Sequence, residues 1–95
     1  MLVSKKNSEF EISKETSSDN WVLVLHNDDV NSFDYVIEQL ITFCDHDSVQ
    51  AEQCAMITHY NGKCGVLIGA FETLELVKNL LVERSLSVTI EGRSN

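Results

Sequence analysis

Ninety-five residues with 43% hydrophobic content make one small domain with a single modest core and leave no material for a second. Fifteen acidic against seven basic side chains leave a net charge of -8, which repels phosphate backbones and anionic membrane surfaces and excludes nucleic acid and lipid as first-choice partners. The ligand expected from this balance is cationic or a peptide.

Residues 1–20 are rich in Ser, Lys, Glu and Asn, with Phe10 and Ile12 as the only sizeable apolar side chains after Val3, and are expected to form a flexible tail. Lys5, Lys6 and Lys14 all lie in this stretch, so the remainder is more acidic per residue than the total suggests. No apolar run near the start is long enough for a signal peptide or membrane span, and a cytoplasmic location is the simplest expectation. Cys44, Cys54 and Cys64 are odd in number and each lies in an apolar segment, which fits reduced thiols better than a disulfide framework.

The domain is expected to begin at Trp21. Trp21 to His26 is aromatic and β-branched, too short for a free-standing helix, and reads as a buried strand. After the polar turn Asn27-Asp28-Asp29, either Asn31 or Ser32 caps a helix whose apolar positions are Phe33, Val36, Ile37, Leu40, Ile41 and Cys44. Asp34 falls in its first turn, where a carboxylate suits the helix dipole. Asp47 or Ser48 caps a second helix, on which Ala51, Cys54, Ala55 and Thr58 share a face. Asn61-Gly62 ends it in a left-handed turn, and Cys64 to Ile68 is a second strand. Phe71, Leu74, Val77, Leu80 and Leu81 mark a third helix; Leu86 to Glu91 alternates as a last strand, with Leu86, Val88 and Ile90 on one side. The order βααβαβ predicts an α+β domain over residues 21–91, a three-stranded sheet packed on one face by three helices, with a short tail at 92–95.

The acidic turn carries the most chemistry. Two adjacent carboxylates beside an apolar strand need a cation or several hydrogen bonds, unless the turn is simply solvated and caps its helix. An EF-hand is excluded by spacing: counted from Asp28, the sixth and twelfth positions are Phe33 and Gln39, where a glycine and a glutamate are needed. His59, at the end of the second helix, is a dipole partner on its own, but facing Asp28 it would complete an acceptor set for an ammonium group. Neither Cys44 with His46 nor Cys54 with His59 has zinc or nucleophile spacing. No cofactor and no enzymatic activity are expected.

Taken together, Asn27-Asp28-Asp29-Val30-Asn31-Ser32-Phe33, a helix carrying Val36-Ile37, then His59-Tyr60, Gly62-Lys63 and Cys64-Gly65-Val66 resemble the ClpS adaptors, especially short ClpS-type proteins with a Cys-Asp-His turn. The resemblance spans residues 21–91. It implies a small domain like the C-terminal domain of the ribosomal stalk protein, and an adaptor that recognises N-terminal degradation signals and delivers their bearers to a AAA+ Clp unfoldase, ClpA- or ClpC-like, as a monomer. It implies that Asn27, Asp28 and His59 bind the substrate's α-amino group, and that Asn31, Phe33, Val36, Ala55, Thr58 and Leu86 line the pocket for its first side chain. The tail at residues 1–20 would be the extension offered to the unfoldase. Family members commonly carry methionine where this chain has Phe33 and Ala55, and Met56 is expected to point away from the pocket. The segment between Gly65 and Phe71 is shortened, without the family's usual glutamate and lysine for unfoldase contact. The alternative is a stalk-like assembly module without N-degron binding.

Overall fold

The computed structural model describes residues 20–93. The elements are β1 (Trp21–His26), α1 (Phe33–Phe43), α2 (Ser48–Asn61), β2 (Lys63–Gly69), α3 (Phe71–Glu83) and β3 (Ser87–Gly92), in the predicted order. The tail expected at residues 1–20 lies outside the described residues apart from Asn20, whose carbonyl accepts the Arg93 N–H at 2.8 Å. At the other end β3 continues to Gly92, opposite Trp21. Among the described residues no helix is long and apolar enough to cross a membrane.

The strands form one antiparallel sheet in the order β2-β1-β3. Leu23 and Leu25, two apart on the central strand, point to the same face by the period of a pleated chain and meet Leu40 of α1 and its C-cap Cys44, Ala51 and Cys54 of α2, and Leu74 and Leu81 of α3. Helix α2 packs on β2, α3 packs on β3 and β1, and α1 lies against both of these helices. The α1 stripe divides accordingly: Leu40 and Cys44 are buried in the core, whereas Phe33 and Ile41 stay exposed.

The caps settle two alternatives. Ser32, not Asn31, caps α1, its hydroxyl accepting the Tyr35 N–H at 3.1 Å. Asp47, not Ser48, caps α2 by accepting the Gln50 N–H at 2.8 Å. A bulge after Leu23 leaves Val66 without a partner in the β1–β2 register, and its carbonyl is taken by His46, buried to 5% exposure, at 2.7 Å. A carbonyl only accepts, so Nε2 of His46 carries the proton and the ring holds the α1–α2 turn against β2.

The three cysteines are all free thiols. Burial pushes Cys44 up to about 11 from its ordinary 9.0. Cys54 rises to about 12, through burial first and then through its hydrogen bond and charge interaction with Cys64. Both shifts favour the protonated thiol in the folded state. Their contribution to stability is complete below pH 9, where folded and unfolded chains are alike protonated, and is lost as pH rises toward the folded values. We expect unfolding free energy to decline above pH 9, by up to about 1.4 kcal/mol per pH unit per thiol. Denaturant titrations between pH 7.5 and 11 check this, and a Cys44→Ala, Cys54→Ala double variant should decline less steeply.

Candidate functional site

One backbone hydrogen bond assembles the site. The N–H of Asn27, just beyond β1, donates to the Gly62 carbonyl at 2.9 Å, fixing the acidic turn beside the end of α2. Gly62 closes that helix by donating to the Thr58 carbonyl at 2.9 Å, with φ at +97°. A Cβ there would meet nothing within 4 Å, so glycine is needed for its backbone conformation and not for space.

The Asp28 carboxylate is ordered by its own loop. Oδ1 accepts the N–H of Val30 at 2.9 Å and of Asn31 at 3.0 Å, an Asx-type turn. The Asn31 side-chain amide donates to both carboxylate oxygens, at 3.3 Å to Oδ1 and 3.1 Å to Oδ2. The same amide donates to the Ser85 carbonyl at 2.8 Å, and the Tyr35 hydroxyl donates to the Arg84 carbonyl at 2.9 Å. Two side chains around the start of α1 thus tie the acidic loop to the turn before β3. Oδ1 is crowded by three donors, while Oδ2 has one and keeps accepting capacity.

Asn27, Asp28 and His59 open onto a cavity of about 530 Å³ that Asn31, Phe33, Val36, Ala55 and Thr58 also line. Ala55 and Thr58 are buried, Val36 is half-buried and Phe33 is exposed, so the walls run from apolar and closed to apolar and open. Thr58 turns its hydroxyl back to the Cys54 carbonyl at 2.8 Å, which satisfies the donor and leaves its methyl group for the wall. His59 lies edge-on to Tyr60, ring centres 4.9 Å apart. Among the described residues neither the Asn27 side-chain amide nor the His59 ring has a hydrogen-bond partner, so both can serve a ligand.

Two expectations are corrected. Leu86 does not line the cavity: it is 4% exposed and belongs to the core, its N–H bonded to the Leu81 carbonyl at 3.0 Å. The chain reverses at Ser85, with φ at +71°, and turns Leu86 under the sheet. Met56 does line the cavity, because a long unbranched side chain reaches past the helix face that its Cα occupies. Leu25, His26, Asp29 and Tyr60 complete the lining. An aromatic beside His59 at a helix end is the sequence signal for Tyr60, which is 77% exposed. Among the described residues, no three His, Cys, Asp or Glu side chains are grouped to hold a metal ion.

Comparison with known proteins supplies the frame for this geometry. A structure of Agrobacterium tumefaciens ClpS2 bound to L-phenylalaninamide superposes with a TM-score of 0.68 at 18% identity, covering 79% of this chain and 99% of that one, a likeness of fold. The ATP-dependent Clp protease adapter protein ClpS of Edwardsiella ictaluri (strain 93-146) is 44% identical over 46 residues, 46% of this chain and 43% of that protein. The chain thus matches less than half the length of that relative. The family model for ATP-dependent Clp protease adaptor protein ClpS matches residues 16–89. That span takes in β1 through the first half of β3, so the chain belongs to the ClpS family of Clp protease adaptors, which are not enzymes.

Proposed function

We propose that this adaptor binds the free α-amino group and bulky hydrophobic first side chain of N-degron substrates and hands them to a AAA+ Clp unfoldase, ClpA- or ClpC-like, acting as a cytoplasmic monomer. The observation that carries this reading is the Asp28 carboxylate, held by loop N–H groups with Oδ2 still able to accept, at a cavity that Phe33, Val36, Ala55 and Met56 give an apolar wall. An α-amino group, with a pKa of about 7.7 to 8.0, is mostly cationic at neutral pH and carries several donors. Asp28, the Asn27 amide oxygen and a neutral His59 nitrogen would accept from it, which no internal peptide bond can imitate. Phe33, Val36, Ala55, Thr58 and Met56 would take the side chain. The relative bound to L-phenylalaninamide supports the reading, since that ligand combines a free α-amino group with an aromatic side chain.

Charge-assisted hydrogen bonds of roughly 1.5 to 3 kcal/mol each, with a similar gain from burying a Leu or Phe side chain, leave a micromolar complex after ordering costs. Fluorescence anisotropy with peptides that begin in Leu, Phe, Tyr or Trp tests this. Free-amine peptides are expected to bind at least about tenfold more tightly than their acetylated counterparts. Equal affinity of the two forms would overturn the proposal.

A further inference from the structure

Helix α2 carries a second apolar face. Gln53, Met56, Ile57, Tyr60 and Asn61 line a groove of about 260 Å³ and follow the i, i+3, i+4, i+7, i+8 spacing of one helical stripe. This stripe lies roughly opposite Ala51, Cys54, Ala55 and Thr58, which pack inward. Met56 is 46% exposed and Ile57 is 42% exposed, an apolar investment that the core does not use. None of the five lining residues is charged, in a chain of net charge -8. Met56 and Tyr60 line both this groove and the larger cavity, so they form the wall between the two.

We infer that the groove is a second subsite, taking an apolar side chain from the second or third residue of the bound chain; this rests on the reading of the larger cavity as the site of the first residue. An extended chain advances about 3.3 Å per residue and a helix with its side chains is about 10 Å across. A chain that leaves the cavity over the Met56 and Tyr60 wall therefore reaches the groove within two or three residues. Uncharged lining and exposed thioether, aliphatic and phenolic groups select an apolar or aromatic side chain there. Substrates sharing one first residue are then ranked by their second and third residues.

The test is anisotropy on the full chain with free-amine peptides that all begin in Phe and carry Ala, Leu, Tyr or Asp at the second or the third position. Ile57→Ser is the variant, because Ile57 lines the groove and not the larger cavity and is partly exposed. Leu or Tyr at one of these positions is expected to bind about threefold to tenfold more tightly than Ala, and Ile57→Ser should erase that gain while binding the Ala peptide as wild type does. Amine-dependent binding with a flat profile at both positions overturns the subsite alone, as does a gain that survives Ile57→Ser. Sedimentation showing a dimer that Ile57→Ser disperses assigns the groove to a second copy of the chain and also overturns it. Indifference of the Ala peptide to acetylation overturns the reading of the cavity, and the subsite with it.

Discussion

Asp28→Ala is expected to lower affinity for a free-amine peptide by at least about a hundredfold, the loss of one strong charge-assisted contact together with the loop that aims it. Alanine removes the acceptor for the Val30 and Asn31 N–H groups and one of the two partners of the Asn31 amide. Asp28→Asn is the sharper variant. Its oxygen keeps the Asx-type turn, but its NH2 replaces Oδ2 and faces the Asn31 amide, donor against donor. Flipping Asn31 turns its own oxygen toward the Ser85 carbonyl, acceptor against acceptor. Neither orientation satisfies the chain of bonds, so Asp28→Asn should also bind weakly while retaining the fold by circular dichroism. Wild-type affinity in both variants would remove Asp28 from the site. Because the local bonds are intramolecular, a loss confined to free-amine peptides is the decisive result; a uniform loss across acetylated and free forms would indicate a collapsed loop.

Leu23→Ala is expected to cost roughly 2 to 5 kcal/mol, a large part of the stability of a domain this small. Leu23 is fully buried on the central strand, opposite Leu67 on one side and Ile90 on the other. Both neighbours are paired to β1 from either side, so the space left by the side chain closes poorly. A drop in Tm of roughly 10 to 25 °C is the corresponding change for a domain of under 100 residues. Leu76→Ala on α3, where the side chain is 69% exposed, should change stability by less than about 0.5 kcal/mol. Melts monitored by circular dichroism compare the two, and similar Tm values would place the core elsewhere.

The contrast between Leu23 and Leu76 is legible in the sequence. Leu23 lies inside an unbroken apolar run too short for a free-standing helix, and Leu76 falls off the Leu74, Val77, Leu81 stripe. Periodicity is blinder at Phe33. It lies on the same stripe as Leu40, yet the first turn of α1 extends past the core and brings Phe33 to the cavity. A stripe tells which residues share a face, and not where along the helix its neighbour ends. Met56 departs from expectation for a related reason: an angle of 100° per residue places a Cα, whereas a flexible thioether covers a wider arc. The family resemblance puts Leu86 in the pocket, and the turn at Ser85 takes it to the core instead.

Asn27-Asp28-Asp29 separates the two kinds of knowledge. By itself, the sequence determined the six elements and their order, because strand alternation, helical stripes and capping residues act over a few neighbouring positions. It also determined that an acidic turn directly succeeds a buried strand. Only the tertiary structure decided that this turn meets the end of α2 through the Asn27 to Gly62 bond, and that Asn31 spans from Asp28 to Ser85. Those contacts join residues tens of positions apart, and they exist only once the sheet has brought β1, β2 and β3 side by side. Asp28 and Asp29 were alike as letters. Hydrogen bonding made one the ordered acceptor of the cavity, and left the other on its lining with no such framework.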